Sequence, residues 1–169
     1  MSRSVFIGMI VLIAFLSACS NGPGAGSRGS IIMYTSFDEL KPMLERENDT
    51  LYVYNFWATW CVPCVKELKN FEEVNADYAG RKVKVVLISL DWSEDLETKL
   101  KPFIKERDIR SQVINLDDPN ANRWIPMVDQ SWDGAIPATL FRYGKEKIFM
   151  VHTFTHEELV NEIEDILNK

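Results

Sequence analysis

The sequence predicts an α/β domain: a central mixed β-sheet flanked by helices on both faces. Three observations carry this. Leu51–Trp57 and Val83–Leu90 are dense in apolar, aromatic and β-branched residues, as strands covered on both faces are. Apolar residues recur at helical spacing after each run, clearest at Val65, Leu68, Phe71, Val74 and Tyr78. Two more strand-like runs then flank Gly144, the pattern of a hairpin. Right-handed crossovers make the early strands parallel, and the hairpin makes the sheet mixed.

The elements follow in order. Ser36-Phe37-Asp38-Glu39 has the form of a capping box, with Phe37, Leu40, Met43 and Leu44 behind it and Pro42 limiting the start. After the strand 51–57, Pro63 opens a helix that Gly80 stops. Strand 83–90 leads to a helix begun by Ser93, Glu94 and Asp95. It turns Leu96, Leu100, Phe103 and Ile104 inward and is kinked by Pro102. Gln112–Leu116 is a short strand. Residues 117–132 are expected to be irregular, with one helical turn near Arg123. The hairpin pairs Ala138–Tyr143 with Lys147–Thr153. Thr155-His156-Glu157-Glu158 is a second capping box, before a closing helix that buries Leu159, Val160, Ile163, Ile166 and Leu167.

The chain has 169 residues, 46% hydrophobic and 26% charged, which suits one ordinary globular domain. Its net charge of −6 and the lack of a Lys/Arg run argue against a nucleic-acid partner. Three cysteines exclude a disulfide-stapled mini-protein.

The first residues read as an address. Arg3 precedes an apolar run, Val5–Leu16, that is shorter than the roughly 18 residues of a membrane span. The run ends in Leu16-Ser17-Ala18-Cys19, which resembles the lipobox of bacterial lipoproteins. That resemblance implies a signal peptide over residues 1–18 and a lipid on Cys19. Residues 20–30, SNGPGAGSRGS, have the composition of a flexible tether. The expected organisation is therefore a signal peptide (1–18), a lipidated cysteine with tether (19–30) and a folded domain (31–169). A lipid anchor would hold that domain at a membrane, facing an oxidising compartment, without a transmembrane helix.

The strongest chemical signal is Trp60-Cys61-Val62-Pro63-Cys64, at the end of a strand and the start of a helix. A CxxC beside a βαβ pattern reads as a redox dithiol. Unpaired amide N–H groups and the positive end of the helix dipole favour a thiolate there. Cys61, at the helix edge, should be exposed and attack. Cys64, about one turn in, should resolve the mixed disulfide. Acidity alone gives little. Lowering a thiol pKa from about 8.5 to about 7 raises the thiolate fraction roughly 15-fold at pH 7. Lost nucleophilicity takes back about 5-fold. The larger gain is in leaving ability and in the redox equilibrium, where about 30 mV is tenfold.

Two other readings compete with the redox dithiol. A structural disulfide closing a two-residue loop would stabilise weakly. His152 and His156 with Cys61 and Cys64 mimic a zinc finger, but 87 residues separate Cys64 from His152, where a finger uses about 12–15. No metal is expected, and no other cofactor. His152 is expected in mid-strand and His156 in a helix cap.

Residues 51–68, LYVYNFWATWCVPCVKEL, resemble the active-site segment of thioredoxin-fold proteins, in particular the membrane-tethered TlpA/ResA-like thiol–disulfide oxidoreductases. The resemblance implies a thioredoxin fold and thiol–disulfide exchange. It extends more loosely from about Ile31 to the end of the chain. Where thioredoxins carry a buried Asp, six residues before the first cysteine, this chain has Asn55. Glu67 matches the acidic residue of the tethered branch. On a helix it lies only 60° from the direction of Cys64, where it could raise the Cys64 pKa or take its proton. A solvated helix Glu is the alternative. Gly134-Ala135-Ile136-Pro137-Ala138-Thr139 resembles the cis-proline loop, with Pro137 packed on the dithiol and the Ile136 backbone available to an extended substrate.

Trp60, Val62, Pro63 and Ile136 are thus the expected substrate contacts. Trp57 is expected in the core, and Trp132 also, unless it lines the same groove. Trp92 and Trp124 read as structural. The implied partners are cysteine-containing proteins and a membrane thiol electron donor. The alternatives are a thiol peroxidase and a non-catalytic, lipid-anchored binding protein. Thr59, two positions before Cys61 and not three, argues against the peroxidase.

Overall fold

The computed structural model describes residues 31–169. The expected signal peptide, Cys19 and the tether lie outside the described residues. The sheet has six strands: β1 (Ile31–Tyr34), β2 (Leu51–Trp57), β3 (Val83–Ser89), β4 (Gln112–Leu116), β5 (Ala138–Tyr143) and β6 (Glu146–Met150). Their spatial order is β1-β4-β3-β2-β5-β6. The pairs β1/β4, β4/β3 and β3/β2 are parallel; β2/β5 and β5/β6 are antiparallel. This is the mixed sheet expected from the sequence, and the fold is thioredoxin-like.

Five α-helices cover it: α1 (Phe37–Leu44), α2 (Val62–Asp77), α3 (Lys101–Glu106), α4 (Ala121–Val128) and α5 (His156–Leu167). Alternation along β2 divides the core. Leu51, Val53 and Trp57 pack with Leu68, Phe71 and Val74 of α2, with α5 and with α3. Tyr52, Tyr54 and Phe56 pack with α1 and α4. All seven β2 residues are buried, which is why the run reads as continuously apolar. Each fully buried Leu, Ile or Phe stabilises this arrangement by about 1.5–3 kcal/mol.

Several expectations need correction. The strand β1 has no counterpart among the elements expected from the sequence. It is four residues long and lies at the sheet edge, so its signal is weak. Residues 117–132 are not simply irregular, because α4 makes two turns despite Pro126, whose missing N–H falls on a largely exposed helix. In α1, Pro42 sits inside the helix. Ser36 does cap it, accepting from the Asp38 N–H at 3.3 Å, but the Glu39 side chain does not return to the Ser36 N–H and the reciprocal box does not form. The box at Thr155 and Glu158 does form. Pro102 acts earlier than a kink inside a helix would: residues 96–100 make a wide π-turn, and α3 starts beyond it.

The hairpin strand β6 ends at Met150, not Thr153. The chain leaves the sheet there because Phe154 bonds α2 from both backbone groups. Its N–H donates to Glu67 Oε2 at 2.7 Å and its carbonyl accepts from Asn70 at 2.7 Å. His152 is therefore exposed beyond the strand, its ring 4.1 Å from that of Phe154.

Topology fixes where chemistry can occur. The parallel strands β2 and β3 end side by side, Trp57 opposite Ser89. Antiparallel β5 begins where β2 ends, Phe56 opposite Ala138. Three loops, after β2, after β3 and before β5, thus meet at one edge of the sheet.

Candidate active site

Cys61 is the N-cap of α2. Its backbone is extended (φ −86°, ψ 97°) and its Sγ accepts from the Cys64 N–H at 3.3 Å. A sulfur thus stands where a serine oxygen commonly would, and a thiolate there gains an amide donor and the helix dipole. Pro63 occupies the first turn, where its missing N–H costs nothing. The two sulfurs form a disulfide, with Cα atoms 5.3 Å apart.

The expectation that Cys61 is exposed fails. Cys61 is 6% exposed and Cys64 is fully buried. The Cys61 sulfur lies between the Cys64 amide and the Ile136 carbonyl, 3.8 Å away. Trp60, Val62 and Pro63 are the exposed residues around it.

The Ile136–Pro137 peptide is cis and Pro137 is buried, with Ile136 half-buried. The loop is held from below. Trp132 is buried against Phe56, Trp124 and Phe149, and its Nε1–H donates to the Ala135 carbonyl at 2.8 Å. Trp132 is therefore core and does not line a groove. Gly134 has φ +95°, a conformation that L side chains rarely adopt, so a substitution would strain the loop; a Cβ there would also come within 2.9 Å of Ile125 Cδ1, whose side-chain tip would have to move.

Behind the dithiol, Asn55 and Glu67 are both buried. Asn55 Nδ2 donates to Glu67 Oε1 at 3.0 Å and to Thr139 Oγ1 at 3.2 Å, leaving its Oδ1 unmatched among the described residues. Among the described residues, Glu67 receives two donors, Asn55 and the Phe154 N–H. Burial pushes its carboxyl up to about 7; those two donors and His152 oppose the rise. The alternative of a solvated helix Glu is overturned. A hollow of about 380 Å³ lined by Val62, Pro63, Lys66, Thr153 and Phe154 borders Glu67.

Sequence reasoning missed a second buried carboxylate. Asp91, 1% exposed, follows β3. Its oxygens accept the Thr59 N–H (3.0 and 3.2 Å), the Thr59 hydroxyl (2.5 Å) and the Ser89 hydroxyl (2.7 Å). The Asp91 carbonyl accepts from Asn115 of β4 at 3.1 Å. The sequence signal was an acid closing a long apolar run, which looks the same as a surface turn. Trp92, expected to be structural, lies on the surface. It is 55% exposed and stacks on Trp60.

The histidines do not join the cysteines. His156 Nε2 lies 2.8 Å from Asp77, and no cluster that could hold a metal ion occurs among the described residues. Nor is any described helix long and apolar enough to cross a membrane.

A cysteine pair capping a helix, a cis-proline loop at the sulfur and a thioredoxin-like sheet define a thioredoxin-like thiol protein. A match to the AhpC/TSA family spans residues 42–148, and the chain belongs to that family. Over 59 residues it is 40% identical to the thiol-disulfide oxidoreductase ResA of Oceanobacillus iheyensis, covering 35% of this chain and 29% of ResA. Over 62 residues it is 31% identical to the sporulation thiol-disulfide oxidoreductase A of Bacillus subtilis, covering 37% of this chain and 38% of that protein. The alignments thus span about a third of the curated relatives. Among solved structures, a thiol:disulfide interchange protein from Chlorobium tepidum superposes with TM-score 0.60 at 22% identity, over 75% of this chain and 84% of that one. StoA from Bacillus subtilis superposes with TM-score 0.53 at 22% identity, over 70% and 84%.

Proposed function

We propose that the protein is an extracytoplasmic thiol–disulfide oxidoreductase that exchanges its Cys61–Cys64 pair with protein cysteines, acting as a reductant. The observation that carries this is the Cys61 sulfur at the mouth of α2, accepting the Cys64 amide and bonded to Cys64.

In the reductive direction, the Cys61 thiolate attacks one sulfur of a substrate disulfide. An S–S bond forms to Cys61 and the other substrate sulfur leaves as a thiolate, which takes a proton. Glu67, ionised above about pH 7, takes the Cys64 proton. The Cys64 thiolate then attacks Cys61 Sγ and displaces the second substrate sulfur. Two electrons pass to the substrate, and the Cys61–Cys64 disulfide remains. A membrane thiol donor returns the dithiol. Trp60, Val62, Pro63 and Ile136 contact the substrate, and Pro137 shapes the loop against the sulfur.

The reductant role and the location rest on the tethered relatives and on the N-terminal pattern. Residues 1–18 would be removed, Cys19 would carry the lipid, residues up to 30 would be the tether, and 31–169 the working domain. The peroxidase reading loses support at Thr59, whose hydroxyl is taken by Asp91 at 2.5 Å.

The test is trapping. Cys64→Ala should accumulate mixed disulfides through Cys61 with protein partners in the native compartment, and turnover should fall to background. A variant that traps nothing favours a non-catalytic binding protein. Peroxide-driven turnover of the wild type would favour the peroxidase.

A further inference from the structure

Trp60 and Trp92 differ from the other tryptophans. Trp57, Trp124 and Trp132 are buried, whereas these two are 54% and 55% exposed. Their rings stack with centroids 6.1 Å apart and planes 28° apart. Val62, beside Cys61, is 63% exposed. Two half-exposed indoles present on the order of 200 Å² of largely apolar surface. That area is ordinary for a protein surface; its place beside Cys61 and its composition of two stacked indoles are what single it out.

The stack is fixed from beneath. Thr59 and Asp91 each precede one of the two tryptophans, and the Asp91 carboxylate binds both the N–H and the hydroxyl of Thr59. Ser89 and Asn115 anchor Asp91 at the ends of β3 and β4. The second indole is therefore held beside the first before any partner arrives, which lowers the ordering cost of binding.

We propose that Trp92 is a specificity-determining residue. With Trp60 it forms a two-indole platform for an apolar side chain next to the reacting cysteine of a polypeptide substrate. This rests on the reading of Cys61 as the attacking sulfur. Trp60 precedes Cys61 in the chain, and the neighbours of a cysteine docked on Cys61 lie only about 3.4 Å further along an extended backbone. The partner's side chain is apolar and not cationic for two reasons. Residues 58–63 carry no charge, the Asp91 oxygens are occupied by Thr59 and Ser89, and Asp95 pairs with Lys99; Glu94, two residues after Trp92, is the one nearby acid that would favour a cation, and the Lys peptide tests it. Stacking also covers one face of each indole, which halves the surface a cation could use.

The test uses pre-reduced protein and three disulfide-closed peptides that differ only in the residue beside one cysteine: Leu, Lys or Gly. Second-order rate constants for oxidation of the protein are compared as ratios. The wild type should favour Leu over Gly by about tenfold. Trp92→Ala should bring that ratio to about twofold or less, and Trp92→Phe should keep most of it. Trp92→Gln serves where the alanine variant does not fold. A merely structural role for Trp92 would slow all three peptides and leave the ratio intact, and that result overturns the proposal. So does a wild-type preference for Lys, or none. A wild-type protein oxidised by no peptide and by no small disulfide overturns the reading of Cys61 along with it, an outcome distinct from equal ratios.

Discussion

Two buried carboxylates flank the CxxC turn, and they are built in opposite ways. Asp91 sits among donors: one amide and two hydroxyls converge on it, from Thr59 and Ser89. Glu67 sits in an apolar layer between α2 and β2 with one donor to each oxygen. Burial without enough compensation lifts the Glu67 carboxyl to about 7, where it can hold or release a proton near neutrality. The same charged group thus has two uses. Ringed by donors, it pins a loop; with few donors, its carboxyl is pushed up towards neutrality.

The largest expected effect comes from removing the pin. Asp91→Ala leaves the Thr59 amide, the Thr59 hydroxyl and the Ser89 hydroxyl without their acceptor. It should destabilise the oxidised protein by about 3–4 kcal/mol, read from denaturant unfolding. A loss under about 1 kcal/mol would mean that water replaces the carboxylate and that the turn does not depend on it.

Glu67→Gln tests the other half of the contrast through pH. The folded-state value is raised from 4.5 to about 7, so the folded protein holds the proton more tightly than the unfolded chain. Stability from this group is full below about pH 4.5, falls as pH rises to about 7, and is level above. The fall is up to about 3 kcal/mol. Glutamine does not ionise, so this part of the pH slope should vanish in the variant. The rate of the Cys64 step should lose its rise through pH 7, by about tenfold or more at pH 8. Parallel stability curves for the two proteins would show that Glu67 titrates at its ordinary value and holds no proton.

The contrast also separates what the sequence makes legible from what it hides. The strands β2 and β3 are visible because burial on both faces leaves a continuous apolar run. The helix α2 is visible because Val65 to Tyr78 repeat at helical spacing after Pro63. The cysteine pair is read from spacing, while Glu67 and the Ile136–Pro137 loop come only through family resemblance. Asp91 is hidden because its partner Thr59 is 32 residues away, and an acid after a strand looks like any turn. Phe154 contributes a backbone N–H, which no side-chain pattern encodes. The exposure of Trp92 depends on how the loops after β2 and β3 meet, and this is a property of the sheet order.

The finest test concerns one hydroxyl. Thr59→Val keeps the shape of the side chain and the backbone N–H to Asp91 but deletes the 2.5 Å hydroxyl contact. A hydrogen bond to a charged acceptor contributes about 1.5–3 kcal/mol. Asp91 keeps its other donors, so the loss should sit at the low end, about 1.5 kcal/mol, in chemical denaturation. Thr59→Ser restores the hydroxyl and should recover most of it. If valine costs nothing, the amide alone holds the turn and the pin reduces to a backbone contact. If valine costs as much as Asp91→Ala, the hydroxyl is the main link between the loops after β2 and β3, and the Ser89 contact adds little.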